Sequence, residues 1–427
     1  MIEKVEVKIE GGFDLPLPDM VKIRQIFPAP VLENIESAVT SQVLQEGIRK
    51  RIKPGARIAV AVGSRGIANI GRIVKALVDN LKQLGAYPII VPAMGSHGGA
   101  TAEGQREVLA SYNITEETMG VPIESSMEVV QIASLDDGYP VYLDKIAYNS
   151  DAIIPVNRVK PHTDFKGTHE SGLLKMLAIG LGKHKGATKI HTQGFSQFFR
   201  LIPAIGQTII KNSPVIFGLA ILENAYDQTA KVVAVKAEEI YEEELKLTAE
   251  AKSLLPKFLM SSIDVLIVNE IGKDVSGSGM DPNIIGRNVS NEPGFNAPPI
   301  KKIVVLGLTD KTHGNATGIG LADVTTLSVV NQIDFGSTYA NSITSTELTG
   351  AKIPLFTNND KEAIAVAVNT SNRVEPPDVK IVRINNTLEM SEIEVSTTII
   401  PELSGRNDIE ILSGPYPLRF DQNGRLL

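Results

Sequence analysis

The sequence predicts two α/β domains with mainly parallel sheets, built from Rossmann-like βαβ units, and an active-site cleft between them. In both halves of the chain, short apolar runs of strand length alternate with segments of helical periodicity. A chain of 427 residues also exceeds one ordinary domain of roughly 100–200 residues. A charged helical stretch, EEIYEEELKLTAEAKSLLPK at 238–257, separates the two halves.

Taken in order, RIAVAV (57–62) is a continuous apolar run of the kind buried on both faces of a parallel sheet. GSRG (63–66) turns the chain. A helix is read at 68–84, where Ile70, Ile73, Val74, Leu77 and Leu81 recur at helical spacing and Gly85 is placed to end it. YPIIVPA completes a βαβ unit and leads into AMGSHGGAT, where Thr101 is placed to cap the next helix. DAIIPV (151–156) is a further strand that runs directly into NRVKPHTDFKG. The expected first domain is 1–257. Beyond it IDVLIV, GKDVSGSGMDPNIIGR and IKKIVVLGLT begin a second α/β pattern, expected to fill 258–378. The remaining segment, 379–427, is read as strands and loops that return to pack on the first domain. The opening MIEKVEVKIE alternates charged and apolar residues in the manner of a strand.

Composition narrows the function. With 43% hydrophobic and 21% charged residues, the chain has the make-up of a globular protein with a sizeable core. A net charge of −7, with Lys and Arg dispersed, argues against a general phosphate-backbone binder, so no nucleic-acid partner is expected. The absence of cysteine removes disulfides, thiolate metal ligands and a cysteine nucleophile together. No apolar run approaches the roughly 20 residues that span a bilayer, and no apolar signal segment opens the chain. A cytoplasmic protein without a membrane partner is the simplest expectation.

Five of the six histidines fall between His97 and His191, which selects that region. His97 sits in GSHGG and His162 in KPHTDFKG, each in the loop after a predicted strand, where ligands of open α/β sheets bind. Near neutrality an imidazole exchanges protons in either direction, its unperturbed pKa being about 6.5. His169 and His184 lie among polar residues and read equally as solvated side chains. Lys175, among apolar neighbours in ESGLLKMLAIG, is either a reactive amine or a helix lysine whose stem reaches water. KHKGATK (183–189) and GSRG read as phosphate sites or as ordinary surface and turn. In the second half, GKDVSGSGMD reads as a substrate-closing loop or as a mobile one. His313 reads as structural.

Together these residues resemble the nickel-pincer lactate racemase family, over most of the chain and most closely from 57 to about 195. A histidine after a glycine, here His97, and one in a Pro-His pair, here His162, match its two acid/base histidines. Ser171-Gly172-Leu173-Leu174-Lys175 matches the segment whose lysine carries the cofactor, and His191, sixteen residues on, matches the nickel ligand. The resemblance implies a pyridinium-3,5-bisthiocarboxylic acid mononucleotide, the nickel-pincer nucleotide, linked covalently to Lys175. Such a cofactor brings its own sulfur ligands to a chain that has no cysteine. It also implies maturation enzymes as partners, and inversion of C2 of a 2-hydroxy acid by hydride transfer with His97 and His162 as the acid/base pair. Ser64, Arg65, Lys183 and Lys185 are expected against the cofactor, and Arg65 and Lys273 against the substrate.

The chain departs from the family where substrate recognition belongs. It has Val62-Gly63-Ser64-Arg65-Gly66 in place of Asp-His-Thr-Arg-Pro, a longer segment between His162 and Lys175, and no Trp. These changes imply a substrate larger or more polar than lactate. Two other classes fit the bare residues. One is a histidine-ligated, metal-dependent hydrolase, although no HExxH occurs; the other is a non-catalytic nucleotide- or phosphate-binding protein.

Overall fold

The computed structural model describes residues 4–7, 9, 12–63 and 66–427. The chain forms two compact units, one of Pro28–Leu255 and one that joins the segment ending at Phe27 to Pro256–Leu427. Strand β1 (Met20–Gln25) belongs to the second of these.

The 28–255 unit contains β2 (Arg57–Val62), β3 (Tyr87–Pro92), β4 (Val129–Ser134), β5 (Pro140–Asp144), β6 (Ala152–Arg158), β7 (Phe217–Glu223) and β8 (Thr229–Lys236). Among the described residues its main sheet runs β3-β2-β6-β7-β8, and β4 pairs with β5 in a separate hairpin. The first four strands are parallel, and β8 is antiparallel to β7. The chain passes from β2 to β3 on one side and returns to β6 on the other. The C-terminal end of β2 is therefore a topological switch point, the position at which open α/β sheets bind ligands.

Both faces of this sheet are covered, which explains the unbroken apolar strands. Ile58, Val60 and Val62 pack with Ile73, Val74 and Leu77 of the helix Ile70–Gln83 on one face. Ala59 and Ala61 face Leu173, Leu174 and Leu177 on the other. Thr101 caps the helix Ala102–Ser111 by accepting the Gly104 N–H at 3.0 Å, as its sequence position suggests.

The second unit contains β9 (Ile263–Val268), β10 (Ile300–Val305), β11 (Val324–Thr326), β12 (Leu355–Thr357), β13 (Ile381–Ile384), β14 (Glu392–Ser396) and β15 (Ile409–Ile411). With β1 they form one sheet ordered β12-β11-β10-β9-β13-β14-β1-β15, parallel from β12 to β13 and antiparallel beyond. This corrects the expected domain limits. Segment 379–427 does not return to the first domain: β13 lies beside the fully buried β9, and the strand that extends the sheet past β14 comes from the N-terminus. Residues 4–7 and 9 form no strand; MVKIRQ enters the sheet instead, with Met20, Val21 and Ile23 buried. Pairing between opposite chain ends leaves no trace in local periodicity. No helix among the described residues is long and apolar enough to cross a membrane.

Candidate active site

The loops after β2, β3 and β6 leave the C-terminal edge of the 28–255 sheet, and two of the predicted histidines stand on them. The loop after β6 is closed at its base by a bridge: Lys160 N–H donates to Ser171 at 2.8 Å and Ser171 N–H returns to Lys160 at 3.2 Å. His162 lies inside this loop and is 9% exposed. Its backbone N–H donates to the Glu170 carboxylate at 2.8 Å, and Lys166 donates to its carbonyl at 3.1 Å. Glu170 is buried and also takes Lys166 at 3.2 Å and Lys252 at 2.6 Å, so two cations compensate its charge.

Asp164 faces the His162 ring twice. Its backbone N–H donates to Nδ1 at 3.0 Å, and its Oδ2 lies 3.6 Å from the same nitrogen. The backbone contact assigns the neutral ring an Nε2 proton. The carboxylate stands ready for the opposite tautomer, with the proton on Nδ1.

Lys175 follows in the short helix Leu173–Lys175, which continues into a wide π-type turn, Met176–Gly180. Such turns concentrate at functional sites. Gly172 is required here: a Cβ would lie 2.5 Å from Glu244 Cδ. In the space it leaves, Glu244 reaches from the helix Ile240–Leu254 and accepts the N–H groups of Leu173 at 2.5 Å and Leu174 at 3.1 Å. Burial pushes its carboxyl up to about 7 against the pull of these two donors. Asn157, near the end of β6, donates to the Gly172 carbonyl at 2.9 Å.

His191 ends the helix Lys183–His191 and packs edge-on to Phe195 and Phe198, at centroid distances of 5.7 and 5.1 Å. Phe195 is also 6.4 Å from the His162 ring, and Phe165 lies 4.4 Å from it. One phenylalanine cluster therefore joins the two histidines. The His191 Nδ1 is buried and has no hydrogen-bond partner. Burial, and then the charge of nearby Lys175, lower its pKa to about 4, while Asp164 opposes the shift. The ring is neutral at physiological pH. A buried imidazole nitrogen without a protein partner, on a ring kept neutral, is the donor type that Ni(II) accepts, so the residues present fit a nickel-bearing group.

His97 is exposed on the loop after β3, and its N–H donates to Met94 at 3.0 Å. Ser64 and Arg65 lie outside the described residues. The flanking Gly63 meets the site, since a Cβ there would stand 2.9 Å from Met176 Cε and 3.2 Å from Asn157 Oδ1.

The remaining candidates are placed as follows, and only the expectation for Lys183 is at odds with its surroundings. Lys183 is fully buried, with its ammonium directed to Pro92 O, Gln105 and Asp144, so it faces inward rather than toward a cofactor phosphate. Lys185 is exposed and stacks over Tyr142 at 4.6 Å. His169 is a core residue, held by Nε2 to the Tyr241 carbonyl at 2.8 Å, and burial lowers its pKa. His184 is exposed. Lys273 and His313 belong to the other unit, where Lys273 donates to Asn341 and His313 adopts a left-handed conformation, with φ 48°. Sequence reading missed Asp164, Glu244 and Gln105. Only Asp164 carried a signal, its place two residues beyond His162. Among the described residues, no three His, Asp or Glu side chains gather as a metal-ligand set.

Residues 14–197, which hold all of these loops, match the model of the lactate racemase N-terminal domain family. The fold agrees. The lactate racemase apoprotein from Thermoanaerobacterium thermosaccharolyticum superimposes with a TM-score of 0.54 at 13% identity, over 87% of this chain and 99% of that one. A Thermotoga maritima protein gives 0.50 at 13% identity, over 86% and 99%. No curated protein matches by sequence. The similarity to the family model spans residues 14–197, and the likeness to the solved structures is one of fold.

Proposed function

We propose that the protein is an isomerase that inverts C2 of a 2-hydroxy acid and carries a nickel-pincer nucleotide on Lys175, with His191 as the protein's nickel ligand. The observation that carries this reading is the buried, unpartnered Nδ1 of His191, neutral and beside Lys175. When bound, the cofactor supplies the acceptor and donor of the Cα hydride. The chain's own residues do the rest. One of His97 and His162 removes the hydroxyl proton as the Cα–H bond breaks, and the substrate becomes a 2-oxo acid. The other histidine would protonate the oxygen as the opposite configuration forms, and the bound group would supply the hydride, so protons and electrons balance over the cycle.

A reaction that runs in both directions needs each histidine as acid and as base, and the two contacts of Asp164 suit His162 to both tautomers. The aromatic wall of Phe165, Phe195 and Phe198 excludes water from the His162–His191 side. Arg65 and Lys273 are assigned to the substrate, Ser64 and Lys185 to the cofactor, and the enzyme to the cytoplasm with cofactor-maturation enzymes as partners.

The test uses protein co-expressed with those maturation enzymes. Deuterium exchange or inversion at C2 is measured across a panel of 2-hydroxy acids, alongside nickel content and the mass of the Lys175 peptide. Nickel, a mass increment on Lys175 and inversion of at least one acid are expected. A matured protein without nickel and with unmodified Lys175 overturns the proposal.

A further inference from the structure

Lys183 is a completely buried lysine, and its ammonium meets three groups: it donates to two and forms an ion pair with the third. These are the Pro92 carbonyl at the end of β3, Gln105 Oε1 at 3.1 Å and Asp144 Oδ2 at 3.3 Å. Burial pushes the lysine pKa down, and the carboxylate opposes that shift. Two hydrogen bonds and one ion pair to protein groups turn the amine inward.

The consequence appears at Gln105, which is itself fully buried. Its amide nitrogen donates to the carbonyls of Gly95 at 3.0 Å and His97 at 3.3 Å. An ammonium only donates, so Lys183 selects the amide orientation in which the oxygen faces it and the NH₂ faces the His97 loop. The base of that loop is held separately, by Gly95 N–H to the Gly180 carbonyl at 3.1 Å. Gly95 has a φ of 58°, which disfavours a side chain, and a Cβ there would crowd Ile179 Cγ2 at 3.2 Å. Gln105 therefore holds the part of the loop that carries His97.

Lys183 is also the first residue of the helix that ends in His191, and its φ is 52°. A left-handed backbone is strained for a lysine, and such strain persists only where the surroundings over-determine it. One backbone carbonyl and two side chains, on three separate elements, do so here.

We infer that Lys183 is a positioning residue: acting through Gln105, it ties the His97 loop to the start of the helix that presents His191. The inference deepens the proposed function and rests on its assignment of His97 and His191.

The test compares full-length wild type with Gln105→Glu and Lys183→Met. The glutamate keeps an oxygen for Lys183 but offers no donor to Gly95 and His97. Hydrogen exchange is followed by mass spectrometry over 95–105 and 183–191, with kcat, KM and nickel content measured on matured protein. In Gln105→Glu, exchange over 95–105 is expected to rise about tenfold or more. kcat is expected to fall about 10–100-fold, KM to stay within about twofold and nickel content to be unchanged. Lys183→Met, where it folds, loosens both segments. Unchanged exchange over 95–105 in Gln105→Glu overturns the tie, and looser exchange with unchanged kcat overturns the positioning role. If the wild type inverts no 2-hydroxy acid, the proposed function fails, while the exchange measurement still decides the tie.

Discussion

Glu244 accepts the backbone N–H of Leu173 at 2.5 Å and thereby holds the first turn of the helix that carries Lys175. A helix start offers unpaired N–H groups and partial positive charge, which normally attract an ionised carboxylate. Here complete burial outweighs them and pushes the carboxyl up to about 7. The anchor of the Lys175 helix therefore titrates in the physiological range.

The sign of its effect on stability follows. Between its ordinary value of 4.5 and about 7, Glu244 keeps a proton in the folded protein that the unfolded chain has released. Stability falls as pH rises through this window, by up to about 3 kcal/mol. Glu244→Gln keeps an acceptor for Leu173 and removes the titration, so its stability should change less between pH 5 and pH 8. Urea midpoints at the two pH values check this; equal pH dependence in both proteins contradicts it.

His191→Ala should abolish nickel retention while leaving the mass increment on Lys175, because His191 is assigned to the metal and Lys175 to the covalent link. Metal analysis and peptide mass on co-expressed protein separate the two. Stoichiometric nickel in the variant would remove His191 from the ligand set.

Asp164→Asn preserves the backbone donor to His162 Nδ1 but removes the carboxylate 3.6 Å from it. kcat should fall about 10–100-fold in both directions, within the range that acid/base groups contribute. Nickel content should not change. Progress curves started from each enantiomer measure both rates, and a variant as fast as wild type would deny the carboxylate any role.

Glu170→Ala removes a buried acceptor shared by the His162 N–H, Lys166 and Lys252. It should cost about 2–4 kcal/mol, because one lysine and one N–H are left poorly compensated. Chemical denaturation measures the loss; a change below about 1 kcal/mol would show that the loop is held by other contacts.

Most of the 28–255 unit was legible because its signals are local. RIAVAV is apolar throughout because both faces of β2 are covered, and the spacing from Ile70 to Leu81 marks a helix with one buried face. Burial of individual polar residues was not legible in the same way. Within one nine-residue helix, KHKGATKIH, sequence alone does not tell which cation turns inward. Lys183 is fully buried while Lys185 is exposed, a difference set by partners on β3, β5 and the helix Ala102–Ser111.

The sequence by itself determined the α/β class, the placement of His97 and His162 on strand-end loops, and the order His162, Lys175, His191. These follow from periodicity and spacing along a single stretch of chain. Tertiary structure decided that β1 joins β14 and β15 in one sheet, that Glu244 anchors Leu173 from 71 positions away, and that the Nδ1 atom of His191 is buried without a hydrogen-bond partner. Such features depend on which distant segments exclude water from one another, and local spacing does not encode that.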